Sequence, residues 1–288
     1  MARRQGDQGD QGDQGNVGAV GTGGSGWRFA DRVDLPFIAE KEPGTGKPIA
    51  EQRTGRTKFG QRNWDPGWDA WRAVADFGLT NWRHPQLGIK LPDPSHFQEM
   101  AGMAPDQEIA ELQRMALDER PDALAEIVDQ KEEFISYFMA SCGGRRTTHP
   151  QTYRLFCIAT LVSSVAVMHF KGEKDRARPA HVAPGLMPPL ECPGHGSYPS
   201  GHATQAHLFA LCAIEMLPAT QKQSLGVVLN ALAARIARNR EIAGLHYRSD
   251  SLAGEWLASE IFKILNDQTR MPRFYYAMQA AAAEWLGH

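Results

Sequence analysis

Three polar clusters stand in order between Lys171 and Asp250. They are Lys171-Gly-Glu-Lys-Asp-Arg-Ala-Arg178-Pro179, then Ser197-Tyr-Pro-Ser200-Gly201-His202, then Asn239-Arg240 followed by His246 and Asp250. Two arginines, a lysine, a Ser-Gly turn and two histidines make a poor hydrophobic core and a good cage for a tetrahedral oxyanion. Arg178 and Arg240 can each offer paired N–H donors, and Lys171 adds a compact charge. Ser200-Gly201 immediately precedes a helical pattern, so free backbone N–H groups and the helix dipole face an anion there. Gly201 lets that backbone approach closely. His246 and Asp250 lie four apart. If a helix starts there they share a face, and the carboxylate holds the imidazole in one tautomer, as a nucleophilic histidine requires.

The segments around these clusters read as helices. From Pro105 the apolar spacing follows the 3.6-residue period nearly to the end. It predicts helices over Asp106–Asp118 and Arg120–Cys142, the second with Leu124, Ile127, Val128, Phe134, Ile135 and Phe138 as one apolar stripe. Pro150 opens a long apolar helix ending near Lys171. Past the proline-rich loop 179–199, helices are expected over His202–Leu217, Thr220–Ala243, Ser249–Asn266 and Met271–Leu286. Leu225, Val228, Leu229, Leu232 and Ile236 support the second of these. Period-two alternation with β-branched residues is nearly absent, so the fold class is all-α, a helical bundle whose helix ends meet around the polar clusters.

Upstream, residues 1–26 carry glycine at every third position from Gly6 to Gly24 and no proline. A collagen triple helix needs both, so the segment reads as a disordered, Gly-rich tail, with an oligomerising arm as the minor alternative. Homo-oligomerisation is left open on that account. Residues 27–105 read as an irregular arm with short helices, and 106–288 as the helical domain. Within the arm, Asp65 suits an N-cap and Pro66 the first helical position. Trp68, Trp71 and Ala75 then fall on one helix face, expected to pack into the core. Pro85 to Pro94 reads as a loop.

At 42 % hydrophobic and 22 % charged, the chain has the composition of an ordinary globular protein. Its formal net charge of −2 provides no global field for nucleic acid or an anionic membrane, so any anion site must come from local basic residues. Met1-Ala-Arg-Arg runs into Gly, Asp and Gln rather than an apolar stretch, which does not read as a signal peptide. The apolar run Leu155 to Met168 is broken by two serines and falls short of the ~20 residues that span a bilayer. A cytoplasmic protein without integral membrane contact is expected. The four cysteines show no C-x-x-C spacing and read as free thiols.

The spacing K-x6-R-P, then P-S-G-H, then R-x5-H-x3-D resembles the superfamily of type 2 phosphatidic acid phosphatases, bacterial class A acid phosphatases and vanadium-dependent haloperoxidases. The likeness covers Lys171 to Asp250 and the helical context on both sides. It implies that His246 attacks phosphorus, or binds vanadate axially in a peroxidase. By the same resemblance His202 is the general acid that protonates the leaving oxygen, and Asp250 orients His246. Lys171, Arg178, Ser200, Gly201 and Arg240 match positions that hold the equatorial oxygens. The third motif commonly begins Ser-Arg and here begins Asn239-Arg240, which implies tuning rather than loss.

The resemblance leaves two activities. A phosphomonoesterase acting through a phosphohistidine needs no cofactor and takes a small phosphate ester. A haloperoxidase needs vanadate, a halide and hydrogen peroxide. His195 resembles a histidine near the peroxide of bromoperoxidases, whereas Met168 stands where haloperoxidases often carry tryptophan. The phosphatase is the favoured reading. A metal site from Cys192, His195, His202 and His207 is disfavoured, because His202 and His207 lie about 140° apart on a helix. Glu132 and Glu133 likewise point about 100° apart and read as a solvated face.

Overall fold

In a computed structural model the structure describes residue 60 and residues 64–286. The Gly-rich segment 1–26 and most of 27–63 lie outside the described residues. Among those described, eleven α-helices and no strand are found, so the all-α expectation holds. They are α1 (Pro66–Gly78), α2 (Pro94–Ala101), α3 (Pro105–Asp118), α4 (Arg120–Asp129), α5 (Ile135–Ser141) and α6 (Pro150–Lys174), then α7 (Pro179–Val182), α8 (Gly201–Met216), α9 (Ala219–Ile242), α10 (Arg248–Leu265) and α11 (Pro272–Ala283).

The centre of the bundle is α8, which packs against α6, α9, α10 and α11. It is apolar all round, as a helix surrounded by others must be: Ala203, Ala206, Leu208, Phe209, Ala210, Cys212 and Ala213 are all buried. Phe209 meets Phe134, Phe138 and Phe156 at ring-centroid distances of 5.5, 5.5 and 5.1 Å, tying α5 and α6 to it. A close approach lets α10 cross α8 at its first turn. A Cβ added to Gly254 would lie 2.7 Å from the Ser200 carbonyl oxygen and 2.8 Å from Ala203 Cβ. Only glycine fits there. A smaller apolar cluster, with Leu112, Met115, Ile127, Leu186, Ile242 and Leu245, joins α3 and α4 to the end of α9.

Three expectations change on contact with the structure. Asp65 does cap α1, accepting from the Gly67 amide at 2.8 Å, with Pro66 in the first helical position. Trp68 and Trp71, however, are 59 % and 48 % exposed. The buried face of α1 is Asp69, Ala70, Ala73 and Phe77, because Asp69 is drawn inward by Arg72 and Arg154, each at 3.0 Å. That face and Phe97 of α2 share the main core. The expected helix Arg120–Cys142 is two helices, broken between Gln130 and Phe134, and Leu124 and Val128 of its supposed stripe face solvent.

The third change concerns α6. The serines do not interrupt it: Ser163 and Ser164 donate their hydroxyls to the Ala159 and Thr160 carbonyls, each at 2.7 Å, inside the helix. The helical stretch Pro150–Val182 is long and apolar enough to cross a membrane by length and composition. Its most apolar window is 78 % buried inside the protein, as in the core helix of a bundle.

Candidate active site

The first motif lies where α6 ends. Asp175 takes a left-handed conformation (φ 43°) with its amide on the Lys171 carbonyl, turning the chain so that Arg176 and Arg178 point back into the bundle. Lys171, 2 % exposed, donates from Nζ to the carbonyls of Gly196 (2.7 Å) and Ser197 (3.0 Å) in the second motif. Arg178, fully buried, reaches both other motifs. Its Nε donates to the His195 carbonyl at 3.0 Å, and its Nη1 to the Leu245 carbonyl at 3.1 Å and lies 3.4 Å from His246 Nε2.

The second motif is a tight entry to α8. After a cis Tyr198–Pro199 bond, Ser200 is the N-cap, its hydroxyl accepting from the Ala203 amide at 3.4 Å. The Ser200 amide donates to the Asp250 carbonyl at 3.0 Å, which joins the second motif to the third. His202, in the first turn of α8, is fully buried and stacks in tilted fashion on Phe134, with centroids 5.4 Å apart.

The third motif spans the end of α9 and the start of α10. Gly244 (φ 77°) stops α9 in the left-handed region, and the Leu245 amide returns to the Arg240 carbonyl at 3.1 Å. His246 follows outside either helix. The shared-face expectation for His246 and Asp250 is therefore corrected. Asp250 is the third residue of α10 and reaches backwards, its Oδ2 accepting from the Tyr247 amide at 3.0 Å as half of a capping box. The same oxygen lies 3.1 Å from His246 Nδ1. With Nδ1 given to the carboxylate, Nε2 of the ring is turned toward Arg178. Burial alone would raise the Asp250 carboxyl. The His246 hydrogen bond and the nearby Arg176 charge outweigh it and hold the group below its ordinary range.

Lys171, Arg178, Ser200, Gly201, His202, Arg240, His246 and Asp250 are all buried at this junction of helix ends. Arg178, His246 and Asp250 meet directly, and Lys171 joins through the 196–197 carbonyls. His202 and Arg240 both contact the end of α4. His202 Nε2 lies 3.0 Å from the Gln130 carbonyl, and Arg240 Nη2 donates to the Ile127 carbonyl at 2.7 Å. The last turn of α4 thus lies across the cage. Asn239, in the place of the usual serine, donates its amide to Glu126 Oε2 and Gln130 Oε1, each at 2.9 Å. One serine hydroxyl could not donate twice, so the substitution serves the α4 contact.

Several residues at the site were missed by sequence reasoning. Arg176, inside the first motif, donates to Asp250 Oδ1 at 2.7 Å and to Glu108 Oε2 at 3.1 Å. Two arginines flanking one alanine were the available signal. Glu126 and Gln130 gave none, because their partners at the site lie more than sixty residues away, and the same holds for the Arg176 and Ser249 contacts of Glu108. Arg120 holds the end of α9 by donating to Ile242, Leu186 and Met187 carbonyls at 2.9, 2.8 and 3.1 Å. His195 Nδ1 lies 3.2 Å from Arg178 Nη2, beside the cage, while Met168 is 44 % exposed on the outer face of α6. No group of three or more potential metal ligands occurs among the described residues, and Cys142, Cys157 and Cys212 are free thiols.

Residues 152–269 match the model of the PAP2 superfamily, and all three motifs fall within that range. This region is similar to the superfamily that the motifs resemble. No curated protein sequence matches the chain. Among solved structures, a transmembrane PAP2-type phosphatidylglycerolphosphate phosphatase from Bacillus subtilis is similar over 68 % of this chain and 93 % of its own, at 17 % identity and a TM-score of 0.30.

Proposed function

We propose that the protein is a phosphatase of the PAP2 type that hydrolyses a phosphoric monoester through a phosphohistidine on His246. One observation carries the reading: His246 gives Nδ1 to Asp250 at 3.1 Å and presents Nε2 to the Arg178 guanidinium at 3.4 Å. A nucleophilic nitrogen faces the group best suited to grip phosphoryl oxygens.

In the first step His246 Nε2 forms a bond to phosphorus and the bond from phosphorus to the leaving oxygen breaks. His202 supplies the proton for that oxygen. In the second step His202 takes a proton from water, the water oxygen attacks phosphorus, the P–N bond breaks and phosphate leaves. Lys171, Arg178, Arg240 and the amides at Ser200-Gly201 stabilise charge on the three equatorial oxygens, which is where most of the acceleration of phosphoryl transfer arises. The substrate is a small or peripheral phosphate ester, and no metal or other cofactor is needed. Vanadate-dependent halide oxidation gains nothing from the family match, and the outward Met168 removes that position from the comparison.

The test is a paired assay on the purified chain. p-Nitrophenyl phosphate hydrolysis that vanadate inhibits and His246→Ala abolishes is the expected result. Robust bromination with vanadate and hydrogen peroxide, alongside negligible hydrolysis, would overturn the reading.

A further inference from the structure

Asp250 is itself held. Its two oxygens have different assignments: Oδ2 serves His246 and the Tyr247 amide, and Oδ1 accepts from Arg176 Nη1 at 2.7 Å. Arg176 also donates to Ser249 Oγ at 2.8 Å, and its guanidinium lies 3.8 Å from the Tyr247 ring centroid. Behind it stands Glu108 in the first turn of α3, only 1 % exposed. Glu108 Oε2 accepts from Arg176 at 3.1 Å and from Gln98 Nε2 at 2.8 Å, while Oε1 accepts from the Ser249 amide at 2.7 Å. All the fixed charges in this chain of contacts are buried or nearly so, where one uncompensated charge is costly.

Resting on the phosphatase reading, we propose that Glu108 and Arg176 are positioning residues for the nucleophile. Glu108 fixes the Arg176 fork, the fork occupies Oδ1 of Asp250, and the carboxylate is left with Oδ2 aimed at His246 Nδ1. A carboxylate freed from the fork could turn out of line with Nδ1 and release the ring to its other tautomer, in which Nε2 carries a proton and cannot attack phosphorus. Glu108 lies outside residues 152–269, so part of the device that orients His246 comes from the preceding segment of the chain.

A purely structural ion pair docking α3 on α10 would lower stability on mutation and leave turnover per folded molecule alone. The positioning role predicts otherwise. Arg176→Lys keeps the charge and loses the fork, and should lower kcat for p-nitrophenyl phosphate about ten- to a hundredfold with KM within about twofold, the range for partners that orient a ligating or reacting histidine. Arg176→Gln should fall further, and Glu108→Gln should fall in the same direction. In 15N spectra of histidine-labelled protein, over the neutral limb of its titration, His246 should be a single Nδ1–H tautomer in the wild type and a mixture in Arg176→Gln. If Arg176→Gln does not fold, Glu108→Gln and Arg176→Lys supply the same comparison. Folded variants with kcat within about twofold of wild type, or with an unchanged single tautomer, overturn the proposal. A wild-type chain with no hydrolytic activity would instead remove the phosphatase reading, while the tautomer measurement still decides the positioning claim.

Discussion

Substituting Gly254 by alanine tests whether the helix crossing sets the site. The new methyl would lie 2.7 Å from the Ser200 carbonyl oxygen, 2.8 Å from Ala203 Cβ and 3.0 Å from the Thr204 amide nitrogen. All three neighbours are backbone or backbone-fixed atoms of the first turn of α8, so no side chain can swing aside. Reaching ordinary contact requires the helices to part by roughly 0.7 Å at that point, where atoms in a packed interior have little room to yield. Overpacking of this kind costs about 1–3 kcal/mol, and at roughly 2–4 °C per kcal/mol for a chain of this size the melting temperature should fall measurably. The displaced turn carries Ser200, Gly201 and His202. A shift approaching 1 Å at a group that must meet a reacting atom costs on the order of a hundredfold in rate, so kcat should fall about ten- to a hundredfold. Gly226→Ala is the matched control. It is also an interior helix glycine, but its added methyl would meet only the Ile214 side chain, at 3.6 and 3.7 Å. It should be neutral or stabilising by up to about 1 kcal/mol through helix propensity. Calorimetry and p-nitrophenyl phosphate kinetics on both variants decide the matter. Equal behaviour of Gly254→Ala and Gly226→Ala would refute the reasoning.

Two further outcomes follow from the site. Asn239→Ala removes both donors that tie α9 to α4 and leaves Gln130 Oε1 and Glu126 without them, so chemical denaturation should show a loss of about 1–3 kcal/mol. A pH series of urea unfolding tests Asp250. Its folded-state carboxyl is held below the ordinary value of 3.8. The stability it contributes is therefore complete above that value and is lost as pH falls through the lower, folded value. The stability gap between wild type and Asp250→Asn should be widest near neutral pH and narrow below pH 3.8, and a gap independent of pH would contradict the assignment.

The cage was legible because its chemistry depends on residue types at short, fixed spacing. Lys171, Arg178, Ser200, His202, Arg240, His246 and Asp250 could all be named from three local patterns. The helical class was legible from the period of the apolar residues. What the pattern could not reveal is how the elements meet. The break after Gln130 leaves the apolar period nearly intact, since Phe134, Ile135 and Phe138 continue it, so one long helix was expected. Trp68 and Trp71 share a face with helical spacing, yet a buried Asp69 held by two arginines decided which face turned inward. His246 and Asp250 were rightly paired on the wrong geometry: a capping contact, not a common helix face, joins them. Glu108 was invisible because its partners at the site, Arg176 and the Ser249 amide, are distant in the chain and leave no local signature.

The central claim is that His246 Nε2 attacks phosphorus, and the most direct measurement is to trap the product of that attack. A 32P-labelled phosphate monoester mixed with the chain and quenched during turnover should leave an acid-labile, alkali-stable phosphoryl group that peptide mapping places on His246. It should accumulate in His202→Ala when the leaving group needs no protonation, and be absent from His246→Ala. Label on another residue, or hydrolysis that persists in His246→Ala, would contradict the account.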